Sequence, residues 1–145
     1  MKKPANAQHV LDFSISVIEL YFRLEAITQA VVGFAQAGGE FGILRALACD
    51  GPQTVPDMAR SRPVSRQHCQ TIVNSLEVQG LVEFVENPKH KRSQLVRVTR
   101  SGRAHYARLT KQLLAAASTF APNFTAAEVE GATDVCRRAR ELIVV

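Results

Sequence analysis

The chain has 145 residues, of which 46% are hydrophobic and 21% are charged, and its net charge is +5. This composition predicts one globular domain rather than a disordered chain, and charged residues interrupt every apolar run before it reaches the ~18 residues that a membrane-spanning helix needs. Three widely spaced cysteines argue against a disulfide framework, and the start MKKPANAQHV lacks the pattern of a signal peptide, so a cytoplasmic location with no membrane partner is expected.

The positive charge is concentrated in the middle of the sequence. Residues 54–103 contain nine Lys or Arg and four Asp or Glu, an excess that equals the net charge of the whole chain. A localised basic region is typical of a protein that binds a polyanion. A solvated basic surface without a partner is the open alternative.

The first predicted element is a long helix from about Ala7 to Ala37, which Gly38-Gly39 should end. Its apolar residues form two stripes at helical spacing. The first stripe comprises Phe13, Val17, Leu20, Leu24, Ile27, Val31 and Phe34, and the second comprises Ile15, Ile18 and Phe22. A helix that is apolar on more than one side must be covered on more than one side. We therefore expect a second copy of the chain to supply the additional cover.

Three short helices should follow. The first runs from Glu40 to about Ala48, the second begins after an N-cap at Thr54, and the third begins after an N-cap at Ser65 and ends before Gly80. In the third helix, Cys69, Ile72, Val73 and Leu76 are spaced to line one side. The remaining side is rich in side chains that both donate and accept hydrogen bonds: Gln67, Thr71 and Asn74, flanked by Arg66, His68 and Gln70.

The rest of the chain should form a β-hairpin and two helices. Short strands around Val82–Phe84 and Leu95–Val98 are joined by Asn87-Pro88 and a cationic loop. A long helix should then extend from Arg100 or Ser101 to Phe120. Thr125 and Glu128 have the spacing of a capping box that opens a final helix. The predicted fold class is therefore mainly α with a small β-hairpin wing (α+β).

Short helices, a third helix with a polar outer side and then a basic hairpin are the elements of a winged helix-turn-helix, in its order. Gln and Asn can bond adenine and Arg can bond guanine in the major groove of duplex DNA, whereas a narrow minor groove attracts an inserted Arg. Lysines more often contact phosphates. The candidate DNA-binding residues are Ser65, Arg66, Gln67, His68, Gln70, Thr71, Asn74, Lys89, His90, Lys91 and Arg92.

The segments EFGILRAL, TVPDMARSRPVSRQHCQTIVNSLEVQGLV and ENPKHKRSQLVRVTRSG, within residues 40–103, resemble the multiple-antibiotic-resistance-regulator (MarR) family. The resemblance implies one domain over residues 1–145, with a winged-helix DNA-binding lobe at 40–100 and dimerisation helices at 7–37 and 101–145. It further implies a homodimeric repressor that binds a pseudopalindromic operator and that a small aromatic or lipophilic effector releases. It carries base reading onto the residues from Ser65 to Thr71 named above and minor-groove insertion onto Arg92. The chain departs from the family's pattern at His90, where an Asp commonly precedes the inserted Arg by two residues.

Two other kinds of function remain open. One is a redox sensor, for which Cys49 is the cysteine most expected to be exposed, because Cys69 and Cys136 fall on apolar helix sides and should be buried. The other is a winged-helix module that binds protein.

Catalysis is not expected, because the sequence lacks the common catalytic motifs. The dispersed histidines predict no metal site, and we expect no cofactor. Phe13, Tyr21 and Phe34 could line an effector pocket, but aromatic residues at helical spacing more often lie in the hydrophobic core.

Overall fold

A computed structural model describes residues 3–33, 39–62 and 64–143 of the chain. The described part is mostly helical, with one two-stranded antiparallel hairpin. The elements in chain order are α1 (Ala7–Val32), α2 (Glu40–Asp50), α3 (Val55–Arg60), α4 (Arg66–Val78), β1 (Val82–Val85), β2 (Leu95–Val98), α5 (Arg100–Ser118), a 3₁₀ turn (Ala121–Asn123) and α6 (Ala126–Leu142). The predicted fold class, mainly α with a small hairpin wing, is confirmed.

Side-chain caps explain where the helices begin. Thr54 accepts a hydrogen bond from the backbone N–H of Asp57, and Ser65 accepts one from the backbone N–H of His68 (3.1 Å). Each of these bonds satisfies one of the N–H groups that have no partner within the helix. At α6, Thr125 and Glu128 form the predicted capping box, which brings the backbone N–H of Thr125 to 2.9 Å from the Glu128 carboxylate.

The predicted ends of two helices are wrong. Helix α1 ends at Val32, because Gly33 adopts a left-handed conformation (φ 80°) that caps the helix. The predicted end at Gly38-Gly39 is therefore wrong. Residues 34–38, including Phe34 of the first stripe, lie outside the described residues. Helix α5 ends at Ser118 rather than Phe120, and a 3₁₀ turn that contains Pro122 separates it from α6.

The hydrophobic core lies between α2, α3, α4 and the hairpin. Ile43, Leu44, Met58, Val73 and Leu76 are all fully buried there. The hairpin pairs Val82 with Val98 and Val85 with Leu95. Gln53 adds an isolated bridge to Val96, with N···O distances of 3.2 and 2.8 Å. This bridge, which the sequence pattern did not predict, ties the segment between α2 and α3 to β2, which therefore lies between that segment and β1.

Helices α1 and α6 bury much less surface than the core elements. On α1, Val10, Leu11, Ile18, Leu20 and Phe22 are each more than half exposed, and the described part of α6 contains no buried residue. Helix α1 packs along α5. In the part of the chain that the structure describes, no helix is both long and apolar enough to cross a membrane.

Candidate nucleic-acid interface

Helix α4 is strongly amphipathic. Cys69, Val73 and Leu76 are completely buried against the core. The opposite side of the same helix is exposed, as its spacing predicted. Because the buried side anchors the helix over its whole length, the exposed side is held at a fixed orientation relative to the lobe.

The residues predicted to contact DNA from α4 lie on its solvent side. Gln70 is half-buried, and the others are exposed, namely Ser65, Arg66, Gln67, His68, Thr71 and Asn74. Gln70 Nε2 donates to Asn74 Oδ1 (2.8 Å), and Thr71 Oγ1 donates to the Gln67 carbonyl (3.0 Å). These bonds order the amides and the hydroxyl on one surface while leaving further donors and acceptors available.

A hydrogen-bonded group at the C-terminal end of α4 joins this helix to the first turn of α2. Glu40 Oε1 accepts from Ser75 Oγ (3.1 Å) and from Gln79 Nε2 (2.9 Å). The sequence analysis missed this role of Glu40, since a charge at the start of a helix is explained equally well by the helix dipole. The contact sets how α4 sits on α2.

Arg62, which the charge distribution placed in the basic region, faces the protein instead. It is half-buried in the turn between α3 and α4, and its guanidinium donates to the Gly42 carbonyl in α2. Burial lowers the pKa of this arginine. Two more cations of the region pair with carboxylates, Arg60 with Asp57 and Arg97 with Glu83. The cationic charge that remains exposed on the hairpin is therefore that of its loop.

The hairpin loop consists of two consecutive turns. The backbone N–H of His90 donates to the Asn87 carbonyl (3.3 Å), and the backbone N–H of Ser93 donates to the His90 carbonyl (3.2 Å). Lys91 and Arg92 are the central residues of the second turn. All four candidate residues of the wing, Lys89, His90, Lys91 and Arg92, are exposed.

The cysteines are partly as expected. Cys69 is buried, and burial raises the pKa of its thiol, which disfavours the reactive thiolate. Cys49 is exposed, with its Sγ 3.8 Å from Tyr106 Oη. Cys136 is exposed, so its predicted burial is wrong for a single chain, because nothing in the described residues covers that side of α6.

The effector candidates and the metal-ligand types are dispersed. Phe13 is half-buried and Tyr21 is 39% exposed, while Phe34 lies outside the described residues. Among the residues that the structure describes, no three His, Cys, Asp or Glu side chains come together as a potential metal-binding group.

Comparisons with known proteins identify one family and two uncharacterized relatives. The MarR family model matches residues 36–93. A protein of Mycobacterium tuberculosis, described as uncharacterized, is 33% identical over 95 residues, which is 66% of this chain and 66% of that protein, and a Mycobacterium bovis protein matches equally well. The chain thus aligns with about two thirds of the length of these relatives.

Solved structures share the fold at lower identity. The transcriptional regulator BldR from Sulfolobus solfataricus has a TM-score of 0.78 at 19% identity, covering 93% of this chain and 99% of that one. Wild-type MarR from Escherichia coli has a TM-score of 0.68 at 19% identity, covering 95% of this chain and 98% of that one. BpsR of Bordetella bronchiseptica has a TM-score of 0.69 at 19% identity, covering 96% of each chain. The family is one of transcriptional regulators and not of enzymes. The chain belongs to the MarR family and has its winged-helix fold.

Proposed function

We propose that the protein is a cytoplasmic transcriptional regulator that binds double-stranded DNA sequence-specifically as a homodimer. In this proposal α4 enters the major groove and the hairpin loop of residues 87–93 reaches the minor groove. The winged-helix lobe would comprise residues 40–100, and the helical regions 7–37 and 101–145 would form the dimer.

One observation supports DNA reading above the others. Helix α4 combines a completely buried apolar side with an exposed side of amides, a hydroxyl and Arg66. Amides bond adenine and guanidinium bonds guanine through two hydrogen bonds each, and such bidentate pairs are worth about 1–3 kcal/mol of discrimination between bases. A helix whose outer side only had to be soluble would not need this chemistry.

The wing supplies the sequence-independent part of the affinity. Lys89, Lys91 and Arg92 are exposed and lie within four consecutive residues. Cations at such a tip release counterions from the DNA backbone when they contact phosphates, and this release drives binding at low salt. An Arg at the tip also has the charge that a narrow minor groove attracts.

The apolar surface that a single chain leaves open supports a dimer. Large apolar side chains of α1 are more than half exposed along much of the helix. Contiguous exposed apolar surface of this kind marks an interaction site. A second copy related by a two-fold axis would cover it and would place two copies of α4 for a pseudopalindromic operator, with half-sites about 10–10.5 base pairs apart.

We further propose that the protein is a repressor and that a small aromatic or lipophilic effector releases it from DNA. The structure of BpsR concerns regulation of its DNA binding by 6-hydroxynicotinic acid. This chain has the same fold, and the similarity supports an effector of related chemistry.

A selection experiment tests the proposed function. The full chain is incubated with a pool of random duplex DNA at increasing salt, and the retained DNA is sequenced. We expect enrichment of a two-fold symmetric motif and an affinity that falls steeply as salt rises. Salt-sensitive binding without enrichment would contradict sequence reading, and absence of binding at low salt would contradict DNA binding altogether.

A further inference from the structure

The hairpin loop has an internal clamp. Asn87 is a polar residue at the start of the loop, yet it is only 6% exposed. Its Nδ2 donates to the Ser93 carbonyl (2.9 Å), and its Oδ1 accepts from the backbone N–H of Lys89 (3.1 Å). One side chain therefore joins the first and last residues of the loop and also fixes the first turn.

The clamp acts on the two turns that present the cations. The Asn87 carbonyl accepts from the His90 backbone, and the His90 carbonyl accepts from the Ser93 backbone, so the first turn shares His90 with the second. Pro88 occupies the second position of the first turn, which its fixed φ favours. With both ends of the loop held by Asn87, Lys91 and Arg92 lie in a ring of hydrogen bonds that two backbone turns form and the Asn87 side chain closes.

The tip has little else to hold it. Among the described residues, no carboxylate forms an ion pair with Lys89, Lys91 or Arg92. A cleft of about 420 Å³ separates the loop from the start of α3, with Arg60 and Asp57 on its far side. His90, two residues before Arg92, is exposed and supplies no carboxylate. The backbone of the loop must therefore orient Arg92.

We propose that Asn87 is a positioning residue that pre-organises Arg92 for the minor groove, through the turns rather than through a direct contact. This role rests on the DNA binding proposed above, but the protein could bind DNA without it. Removing the side chain would leave the loop to sample more conformations, and the ordering cost would then fall on the binding step.

A double-mutant cycle isolates this role. Affinity for a selected operator is measured for the wild type, Asn87→Ala, Arg92→Ala and the double variant. We expect each single variant to bind about tenfold more weakly and the double variant to bind no more than about twofold more weakly than Arg92→Ala, because the clamp acts through Arg92. Hydroxyl-radical protection of the minor groove should be lost equally in all three variants.

Two further variants separate positioning from general stability. Asn6 is also bonded to backbone, since its Oδ1 accepts from the backbone N–H of His9 (2.9 Å), but it lies outside the winged-helix lobe and the proposed dimer regions, so Asn6→Ala should leave the operator affinity unchanged. If Asn87→Ala fails to fold, Asn87→Ser replaces it, since its hydroxyl can still accept from Lys89 but cannot reach Ser93. We expect this variant to show an intermediate loss that again disappears in the Arg92→Ala background.

Several outcomes would overturn the role of Asn87 alone. These are additive losses of about a hundredfold in the double variant, wild-type affinity in Asn87→Ser, or an equal loss in Asn6→Ala. If the wild type selects no DNA sequence at all, the proposed function fails, and the role of Asn87 fails with it.

Discussion

At the scale of single residues, the site is defined by where polar groups are placed and by how they are held. On α4 the hydrogen-bonding side chains are exposed, and Gln70 and Asn74 bond each other. In the wing the polar residue that matters most to geometry, Asn87, is buried instead. The exposed groups are suited to meeting a ligand, and the buried amide is suited to holding a shape.

Gln67 provides a direct test of base reading. Replacing it with Ala should weaken operator binding by roughly 1–3 kcal/mol for each half-site, because a bidentate amide contact to a base would be lost. The loss should appear as relaxed preference at one base position of each half-site when selection is repeated with the variant. Gln112→Ala, at an exposed position on α5, is the control. Uniform weakening on all sequences would contradict a reading role.

Gly102 tests the packing of α5 on the lobe. A Cβ at this position would lie 1.9 Å from the Leu81 carbonyl oxygen and 2.7 Å from a Val98 methyl. Since backbone must move to make room, Gly102→Ala should lower the free energy of unfolding by roughly 1–3 kcal/mol, measured by urea denaturation.

Gly131 is the matched control on α6, where a Cβ would meet no described atom within 4 Å. Gly131→Ala should raise the free energy of unfolding by about 0.4–1 kcal/mol, because Ala restricts the unfolded chain and favours the helix. Equal effects of the two substitutions on the free energy of unfolding would contradict a destabilising contact of the added methyl group at Gly102.

At the scale of elements, the hairpin acts as a unit that carries charge. Lys91 sits at the centre of its second turn and is exposed. Replacing Lys91 with Ala should weaken binding to all DNA sequences. It should also reduce the slope of log affinity against log salt by about two per dimer, because each protomer would lose one phosphate contact and each contact contributes about 0.9 to the slope. Lys111→Ala on α5 should leave the slope unchanged. An unaltered slope for Lys91→Ala would remove this residue from the phosphate contacts.

Local signals in the sequence predicted most of the elements correctly. The caps at Thr54, Ser65 and Thr125 are short-range hydrogen bonds, so spacing alone reveals them. The end of α1 was harder, because Gly33 and Gly38-Gly39 can both cap a helix and only packing chooses between them. The error there was one of position and not of element type.

Long-range contacts explain what the sequence could not predict. The sequence alone suggests that Arg62 is one more surface cation. In the structure its guanidinium donates to the carbonyl of Gly42, twenty residues earlier in the chain. Asn87 carries a local signal, since Asn before Pro favours a turn, but its burial and its bond to Ser93 depend on how the hairpin closes. Cys136 was expected to be buried because its helix side is apolar, and that reasoning needs a partner that a single chain lacks.

At the scale of the whole molecule, the described chain consists of a well-packed winged-helix lobe and two helices with uncovered apolar surface. Phe22 is 63% exposed and Ile18 is 55% exposed on α1, and Leu142 is 84% exposed near the end of α6. This distribution supports the proposed homodimer, in which a second copy would cover the exposed apolar side chains of α1 and α6.

A charge placed on α1 tests the dimer. Phe22→Lys should raise the dimer dissociation constant at least about a hundredfold, because it removes a large apolar side chain from the proposed interface and would bury a charge there. Analytical ultracentrifugation would measure the change. Gln94→Lys adds the same charge to the exposed surface of the hairpin and should leave the dimer intact. Dimerisation unaffected by Phe22→Lys would place the interface elsewhere.

The central claim is that two copies of α4 read one symmetric DNA site. Chemical footprinting of the full chain on its selected operator tests it most directly, with a reagent that reports the major groove and hydroxyl radicals that report the minor groove. We predict two protected major-groove segments on one side of the duplex, about 10–10.5 base pairs apart, each flanked by minor-groove protection from a wing. A single protected segment, or protection without two-fold symmetry, would contradict the claim.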